Sequence, residues 1–463
     1  MTDVKQTKQE DLKNSKHVVY AGTHRQKLNK EPNPEDHREH IEPWLSALLQ
    51  AENLNLLVGS GLTAAMANLA GAPSVDMSTP DLNCDYADTV MKAARKSAEQ
   101  LGRESPNIED VVRAALELIG GLRIIADNAE SGRGADRLSS KAKGLFQVWE
   151  QCLDDILTSF LKKVIATERG IHEAFVEQET PELANRLRRL LGGFLLPFAS
   201  RTGTRERLHI FTTNYDRLIE FGCDLLGLRV LDRFVGNLLP VFRSSRLGVD
   251  LHYNPPGIRG EPRYLEGVVR LTKLHGSMDW RRQVGSSGLM EIHRCGVPFG
   301  APDDHPELPQ RPIDQLLIYP NPAKDVETLE YPYAELFRDF AAACCQPNTV
   351  MITYGYGFGD DHVNRVLRDM LTIPSTHLVM ISYDWAAGRV SNFFDQVARE
   401  EQITLLIGPH FGNLEVLVEH YLPKPAIDWT TWQMVQLLNR RARPQNDGAD
   451  RAEEGNHGGR KGQ

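Results

Sequence analysis

Four apolar runs in this chain each break into a short polar cluster, and the residue types in those clusters suit one kind of chemistry. Leu208-His209-Ile210-Phe211 opens into Thr212-Thr213-Asn214-Tyr215-Asp216, which puts hydroxyls, an amide and a carboxylate at the end of a strand-like run. Leu54 to Val58 closes on Gly59-Ser60-Gly61-Leu62-Thr63, Val268 to Leu274 on His275-Gly276-Ser277, and Val350 to Tyr354 on Gly355-Tyr356-Gly357-Phe358-Gly359-Asp360. In α/β sheets the carboxyl ends of strands are where ligands bind. Glycines between a strand and a helix let the backbone approach a phosphate, whose charge then faces the helix N-terminus. Asn214 can orient a hydroxyl or a water without adding charge, and an imidazole such as His275 can take a proton near neutral pH.

Each residue also has a plainer use. Asp216 equally suits the cap of the helix that follows it. Tyr215 and Trp280 suit packing, and Asp360 and His362 suit the start of a helix near Val363. Asn214 and His275 gain a functional reading from occurring together, each at the end of its own strand.

The surrounding pattern supplies the elements that must hold these clusters. Ile41, Trp44, Leu45 and Leu48 lie at helical spacing ahead of the first strand. Gly59, Gly61 and Ala64 fit G-x-G-x-x-A, a weak match alone. An ordinary dinucleotide fold would add a strand ending in an acid about 20 residues further on. Asp76 and Asp81 stand near that distance with no strand before them, which argues against a plain dehydrogenase. Residues 74–200 read instead as an inserted helical module. Ser105-Pro106 is expected to start one helix, with Ile108, Val111, Val112, Ala115, Leu116 and Ile119 on its apolar face. Leu145 to Val164 forms a second stripe, and Thr180-Pro181 opens a third helix. From Asp216 onward, strand-like runs alternate with helices or loops through Ile403–Ile407 and a helix over 413–422, while the Gly- and Pro-rich stretch 283–313 reads as a surface loop. The expected fold is α/β: a Rossmann-like, mostly parallel sheet with helices on both faces, built from residues 37–73 and 201–425. Residues 1–36 are expected to be a flexible polar segment, and 426–463 a C-terminal helix and disordered tail.

The 463 residues carry a formal net charge of −9, which argues against direct electrostatic binding of nucleic acid. The basic run Arg186-Leu187-Arg188-Arg189 reads most simply as a solvated helix face. The polar N-terminus has no secretory h-region, and no run reaches the roughly 20 apolar residues of a membrane span. Six cysteines occur without any C-x-x-C pair, so neither a zinc site nor a disulfide framework is expected. A cytoplasmic protein that does not engage membranes is the expectation.

The ordered set of clusters resembles the sirtuin superfamily, whose signatures are a glycine-alanine-glycine turn, Thr-Gln-Asn-x-Asp and His-Gly. The resemblance spans roughly residues 40–425. Thr212 to Asp216, Leu274-His275-Gly276-Ser277 with Trp280, and the Gly355-to-Asn364 stretch look like its divergent bacterial branch, found in antiphage defence as an NAD-degrading effector. That resemblance implies an NAD⁺ glycohydrolase with Asn214 and His275 catalytic. It also implies an NAD cradle of Gly59, Ser60, Gly61, Thr63, Thr212, Thr213, Asp216, Gly355, Tyr356 and Gly357. By family association, the partner would be a HerA-type hexameric ATPase, and the protein itself a homo-oligomer. The four-cysteine zinc module and the Asp-Phe-Arg of deacylase members are missing; Ser74-Val75-Asp76-Met77 follows the first glycine loop instead. No metal is therefore expected. A deacylase, an ADP-ribosyltransferase and a nucleotide-binding module without turnover remain the alternatives.

Overall fold

Leu54 to Val58, Ile210 to Phe211 and Val350 to Tyr354 are apolar at nearly every position, the pattern of parallel strands covered on both faces. A computed structural model describes residues 15–424, apart from 76, 101–102, 104, 128–135, 178–180, 202–204, 246–249, 254–262, 286–287, 310, 313–315 and 319–330. The expected flexible start before residue 15, Asp76, the Thr180 cap and the expected tail lie outside the described residues.

The chain opens with a hairpin of β1 (His17–Ala21) and β2 (His24–Leu28), then α1 (Pro34–Leu48), β3 (Asn53–Val58) and α2 (Ser60–Ala70). Helices α3 (Ala87–Gln100), α4 (Ile108–Asp127), α5 (Asp136–Val176) and α6 (Pro181–Ala199) precede β4 (His209–Thr212) and α7 (Leu218–Leu225). Short strands β5 (Arg229–Leu231), β6 (Phe234–Val235), β7 (Val241–Phe242), β8 (His252–Tyr253) and β9 (Arg263–Tyr264) lead to β10 (Val268–Lys273), β11 (Gly276–Val284), β12 (Met290–Arg294) and β13 (Leu316–Ile318). The last part runs α8 (Tyr333–Cys344), β14 (Thr349–Tyr354), α9 (Asp361–Met370), β15 (His377–Ser382), α10 (Arg389–Gln396) and β16 (Ile403–Ile407).

The main sheet has nine strands in the order β2-β1-β16-β15-β14-β3-β4-β10-β5. Neighbours from β16 to β5 are parallel, and β1 and β2 are antiparallel. This is a Rossmann-like α/β architecture. Alternate residues of one strand serve opposite cores, as the pleat requires. Leu56, Val58, Ile210, Ile352 and Tyr354 face α1, α2 and α6, whereas Leu57, Phe211, Met351 and Met380 face α8, α9 and α10. Among the described residues no helix is long and apolar enough to cross a membrane.

Three expectations need correction. The N-terminal segment is ordered where it is described: Val18 and Val19 are fully buried because β1 pairs with β16. The polar β2, His24-Arg25-Gln26-Lys27-Leu28, is the charged edge of the sheet, a common guard against edge-to-edge pairing. The helical stretch 74–200 also divides. Helices α3, α4 and most of α5 pack into a separate apolar cluster that includes Trp149, Phe160 and Val164 and is joined by Tyr215 and Met278 from the sheet side. The end of α5 (Ile171, Phe175) and all of α6 instead pack on the sheet. Finally, 283–313 is more than a loop. It contributes β12 to a second, antiparallel sheet ordered β13-β11-β12-β7-β6.

Candidate active site

Ser60 to Ala70 forms a helix directly after β3, and no side chain caps its N-terminus at Gly59. Glycine is required there by a neighbour. A Cβ on Gly59 would stand 2.4 Å from the Gly355 carbonyl, and one on Gly61 would stand 2.5 Å from the Gly355 Cα. Gly355 itself has φ +60°. The turn after β3 and the turn after β14 thus pack backbone on backbone, and Gly61 N–H donates to the Gly355 carbonyl at 3.0 Å. With that N–H committed, the anion-binding capacity of the turn rests on Ser60 and the positive end of α2.

Asn214 follows β4 and is held by its own amide. Its Nδ2 donates to the Gly59 carbonyl at 3.1 Å and to Thr63 Oγ1 at 3.2 Å. A carbonyl only accepts, so these contacts fix which end of the amide is nitrogen and leave Oδ1 as the acceptor. Thr63 Oγ1 in turn donates to Asp216 Oδ2 at 2.8 Å. Asp216 Oδ1 accepts the Leu218 N–H at 3.1 Å, so this carboxylate caps α7 and anchors Thr63. The capping reading of Asp216 therefore holds alongside its place in the site. Lys273, buried at the end of β10, donates to the Asp216 carbonyl and to Glu220, which fixes the same turn from below.

His275 is the joint where the main sheet's β10 becomes the second sheet's β11. Its Nε2 lies 3.3 Å from Nε2 of His362 and 3.9 Å from Oδ1 of Asp360. Asp360 makes no side-chain cap bond to α9, and His362 turns to His275, so both depart from the simple capping expectation. Two facing imidazole nitrogens at this distance form a hydrogen bond when one carries the proton and the other accepts it. The three ligand atoms lie within 4.8 Å of one another, the one such grouping among the described residues that can hold a metal ion. Tyr215 packs edge-on against Phe160 and donates its hydroxyl to Glu109 at 3.3 Å. Burial raises the Tyr215 phenol well above its ordinary value, so it stays a neutral donor.

These groups surround a cavity of about 610 Å³, within the range of small-molecule and cofactor sites. Its floor consists of strand ends, and its roof comes from the helical module: Ser74, Val75, Met77, Ser78, Arg103, Ser105 to Asn107, Glu109, Phe160 and Val164. The start of α4 is fixed by a reciprocal pair. Asn107 Oδ1 accepts Asp110 N–H at 3.1 Å, and Asp110 Oδ2 accepts Asn107 N–H at 2.9 Å. The cap is thus Asn107, two residues after the Ser105 expected from Ser-Pro.

Gly59, Ser60, Gly61, Thr63, Thr213, Asn214, Asp216, His275, Tyr356 and Gly357 all line this cavity. Thr212 and Gly355 do not. Thr212 Oγ1 donates to the Val58 carbonyl and accepts Asn214 N–H, tying β4 to β3, and Gly355 is covered by Gly61. Trp280 is core, packed on Phe234 and Phe242. Arg186 and Arg189 pair with Glu415 and Glu419 on an exposed helix face. Sequence reasoning missed Arg103, Glu109 and Arg389. Arg103 and Glu109 reach the cavity through tertiary packing and leave no local signal. Arg389 had one, since a cation at the first position of a helix opposes the macrodipole. Compared with known proteins, the chain matches no family model and no curated sequence.

Proposed function

We propose that the protein is an NAD⁺ glycohydrolase: NAD⁺ and water give nicotinamide, ADP-ribose and a proton. The observation that carries this reading is the convergence of Asn214 and His275 on one cavity floored by the Gly59–Gly61 turn. The bond from ribose C1′ to nicotinamide breaks with its electron pair leaving on the ring nitrogen, which neutralises the pyridinium charge. Asn214 Oδ1, pointed by two bonds from its nitrogen, accepts from the attacking water or a ribose hydroxyl. As water adds to C1′, His275 takes its proton, and His362 and Asp360 stabilise the imidazolium so formed.

An acyl-transfer reading would need an acyl-peptide substrate, and a regulatory module would need no turnover. Incubating the purified protein with NAD⁺ alone separates them. Nicotinamide release without acyl-peptide supports the hydrolase, and release only with acyl-peptide, or no release even with the partner ATPase added, removes it. General acid–base groups typically contribute about 10²–10⁴-fold. We expect His275→Ala and Asn214→Ala each to lower the rate by at least about 100-fold on that scale. If both variants release nicotinamide at the full rate, the site assignment fails.

In the cell this activity would serve as an NAD-depleting effector of antiphage defence, in a homo-oligomer controlled by a HerA-type hexameric ATPase. Adding that ATPase to the purified protein should change the rate of NAD⁺ loss. Absence of both co-purification and any rate change would remove the partner.

A further inference from the structure

Arg389 is a cation with the carboxylates of Asp360 and Asp384 as its opposing charges. It is the first residue of α10, whose first turn holds no acid, so it stands at the positive end of that helix. Its Nε donates to the Gly357 carbonyl at 2.8 Å, which lays the guanidinium along the Gly357–Gly359 turn. Burial, and then the nearby Arg103, hold its pKa below the ordinary guanidinium value, against the opposing pull of Asp360 and Asp384. Arg103 reaches the same cavity from the helical module. Its charge is met on one side only, by Asp110 at 2.7 Å, and its buried Nε has no partner. Two partly desolvated guanidiniums that line one cavity repel each other, and an anion bound between them relieves that cost. The guanidinium fork matches a phosphoryl group better than any other common anionic group except a carboxylate.

We propose that Arg103 and Arg389 form a phosphate seat at the β15 side of the cavity, opposite His275 in strand order. The seat takes a phosphorylated nucleotide. Identifying it as NAD or its 2′-phosphorylated form rests on the hydrolase reading above. The cavity then runs from a cleavage end at Asn214 and His275, past the Gly59–Gly61 turn, to an adenosine-phosphate end at the two arginines.

Calorimetry on the intact protein tests this with inorganic pyrophosphate, ADP, adenosine 2′,5′-bisphosphate and adenosine. Phosphate-bearing probes should bind at least tenfold more tightly than adenosine, with affinity falling as salt rises. Arg389→Gln should lose tenfold or more of the phosphate-dependent affinity and leave adenosine unchanged. Arg389→Lys, which keeps the charge but not the fork, should lose less. Equal loss toward NAD⁺ and NADP⁺ puts the diphosphate in the seat, and a larger loss toward NADP⁺ puts the 2′-phosphate there. Wild-type affinity for every phosphate probe in a folded Arg389→Gln protein overturns the proposal. So does salt-insensitive binding by the unaltered chain. Arg389-dependent pyrophosphate binding without NAD⁺ cleavage would keep the seat and remove the hydrolase. Cleavage by Arg389→Gln with unchanged KM for both dinucleotides would do the reverse.

Discussion

The floor of the cavity is made of strand ends and its roof of the helices between Ala87 and about Val164, and the two are held by different means. In the floor, short bonds run between adjacent turns: Thr212 to Val58, Asn214 to Gly59, Gly61 to Gly355. Every one of them joins neighbouring strands of a sheet buried on both faces. The roof packs on a second apolar cluster that also takes in Tyr215 and Met278 from the floor, and buried polar contacts add to that joint. The strongest is a buried ion pair, Glu168 on α5 with Arg217 at the head of α7. Glu168 accepts the Arg217 backbone N–H at 2.7 Å and its Nη2 at 2.6 Å, while Arg217 also donates to the Pro298 carbonyl at 3.0 Å. The lighter contact is Tyr215 to Glu109. A rigid floor under a separately packed roof is an arrangement in which the roof opens before the sheet does.

Breaking the heavy joint tests that comparison most severely. Glu168→Ala leaves the Arg217 guanidinium buried without its carboxylate, a change that typically costs about 3–5 kcal/mol. The expected outcome is a lowered melting temperature, with amide exchange accelerated in α3, α4 and α5 and little changed in β3, β4 and β14. If the central strands lose protection equally, floor and roof are one cooperative unit and the distinction drawn here fails.

Acid should act on the opposite side of the comparison. Burial lowers the His209 imidazole on β4 to about 3, with Arg270 and Arg233 adding to the effect. Burial lowers His377 on β15 to about 4, and His410, in the loop after β16, to about 4. Helices α3 and α4 contain no histidine. These folded-state values lie below the unfolded value near 6.5, so the neutral imidazole is the form that the fold prefers. Its contribution is fully present above pH 6.5 and is lost as pH falls from there toward the folded values. At pH 5 the fully buried His209 alone accounts for about 2 kcal/mol. Stability measured by denaturant should therefore fall between pH 7 and pH 5, and His209→Gln should flatten that fall. An unchanged slope in the variant would remove His209 as a cause.

The same division explains what could be read from the chain. The floor was legible because each of its parts is local: an apolar run, a break, and the cavity-lining residue within a few positions. Asn214, His275 and the Gly59 turn all stand that way. The roof was only half legible. Its apolar stripes announce helices correctly, but Arg103 and Glu109 look like solvated positions until α4 folds over the sheet. The β1–β2 hairpin was hidden by composition, since an edge strand needs only one apolar neighbour and its partner carries Arg25 and Lys27. The second sheet was hidden by length, with β6 and β7 only two residues each, too short for any alternation to register. Thr212 and Gly355 stand outside the cavity lining for a common reason. A small polar residue or a glycine at a strand end serves the neighbouring strand as readily as a ligand, and spacing does not distinguish the two.

The lighter joint gives the smallest and most discriminating effect. Tyr215 belongs to the floor by position and to the roof by packing, with its ring against Phe160 and its hydroxyl on Glu109. Tyr215→Phe removes one hydrogen bond and leaves the ring, a loss of about 1 kcal/mol or less. Because the sheet does not depend on that bond, Asn214 and His275 keep their geometry. Because the roof does, the closed cavity becomes less populated. The expected signature is a KM for NAD⁺ raised several-fold with kcat nearly unchanged, as when binding is uniformly weakened. A fall in kcat at constant KM would instead place the phenol among the groups acting on the reacting ribose, and the roof would then share in the chemistry.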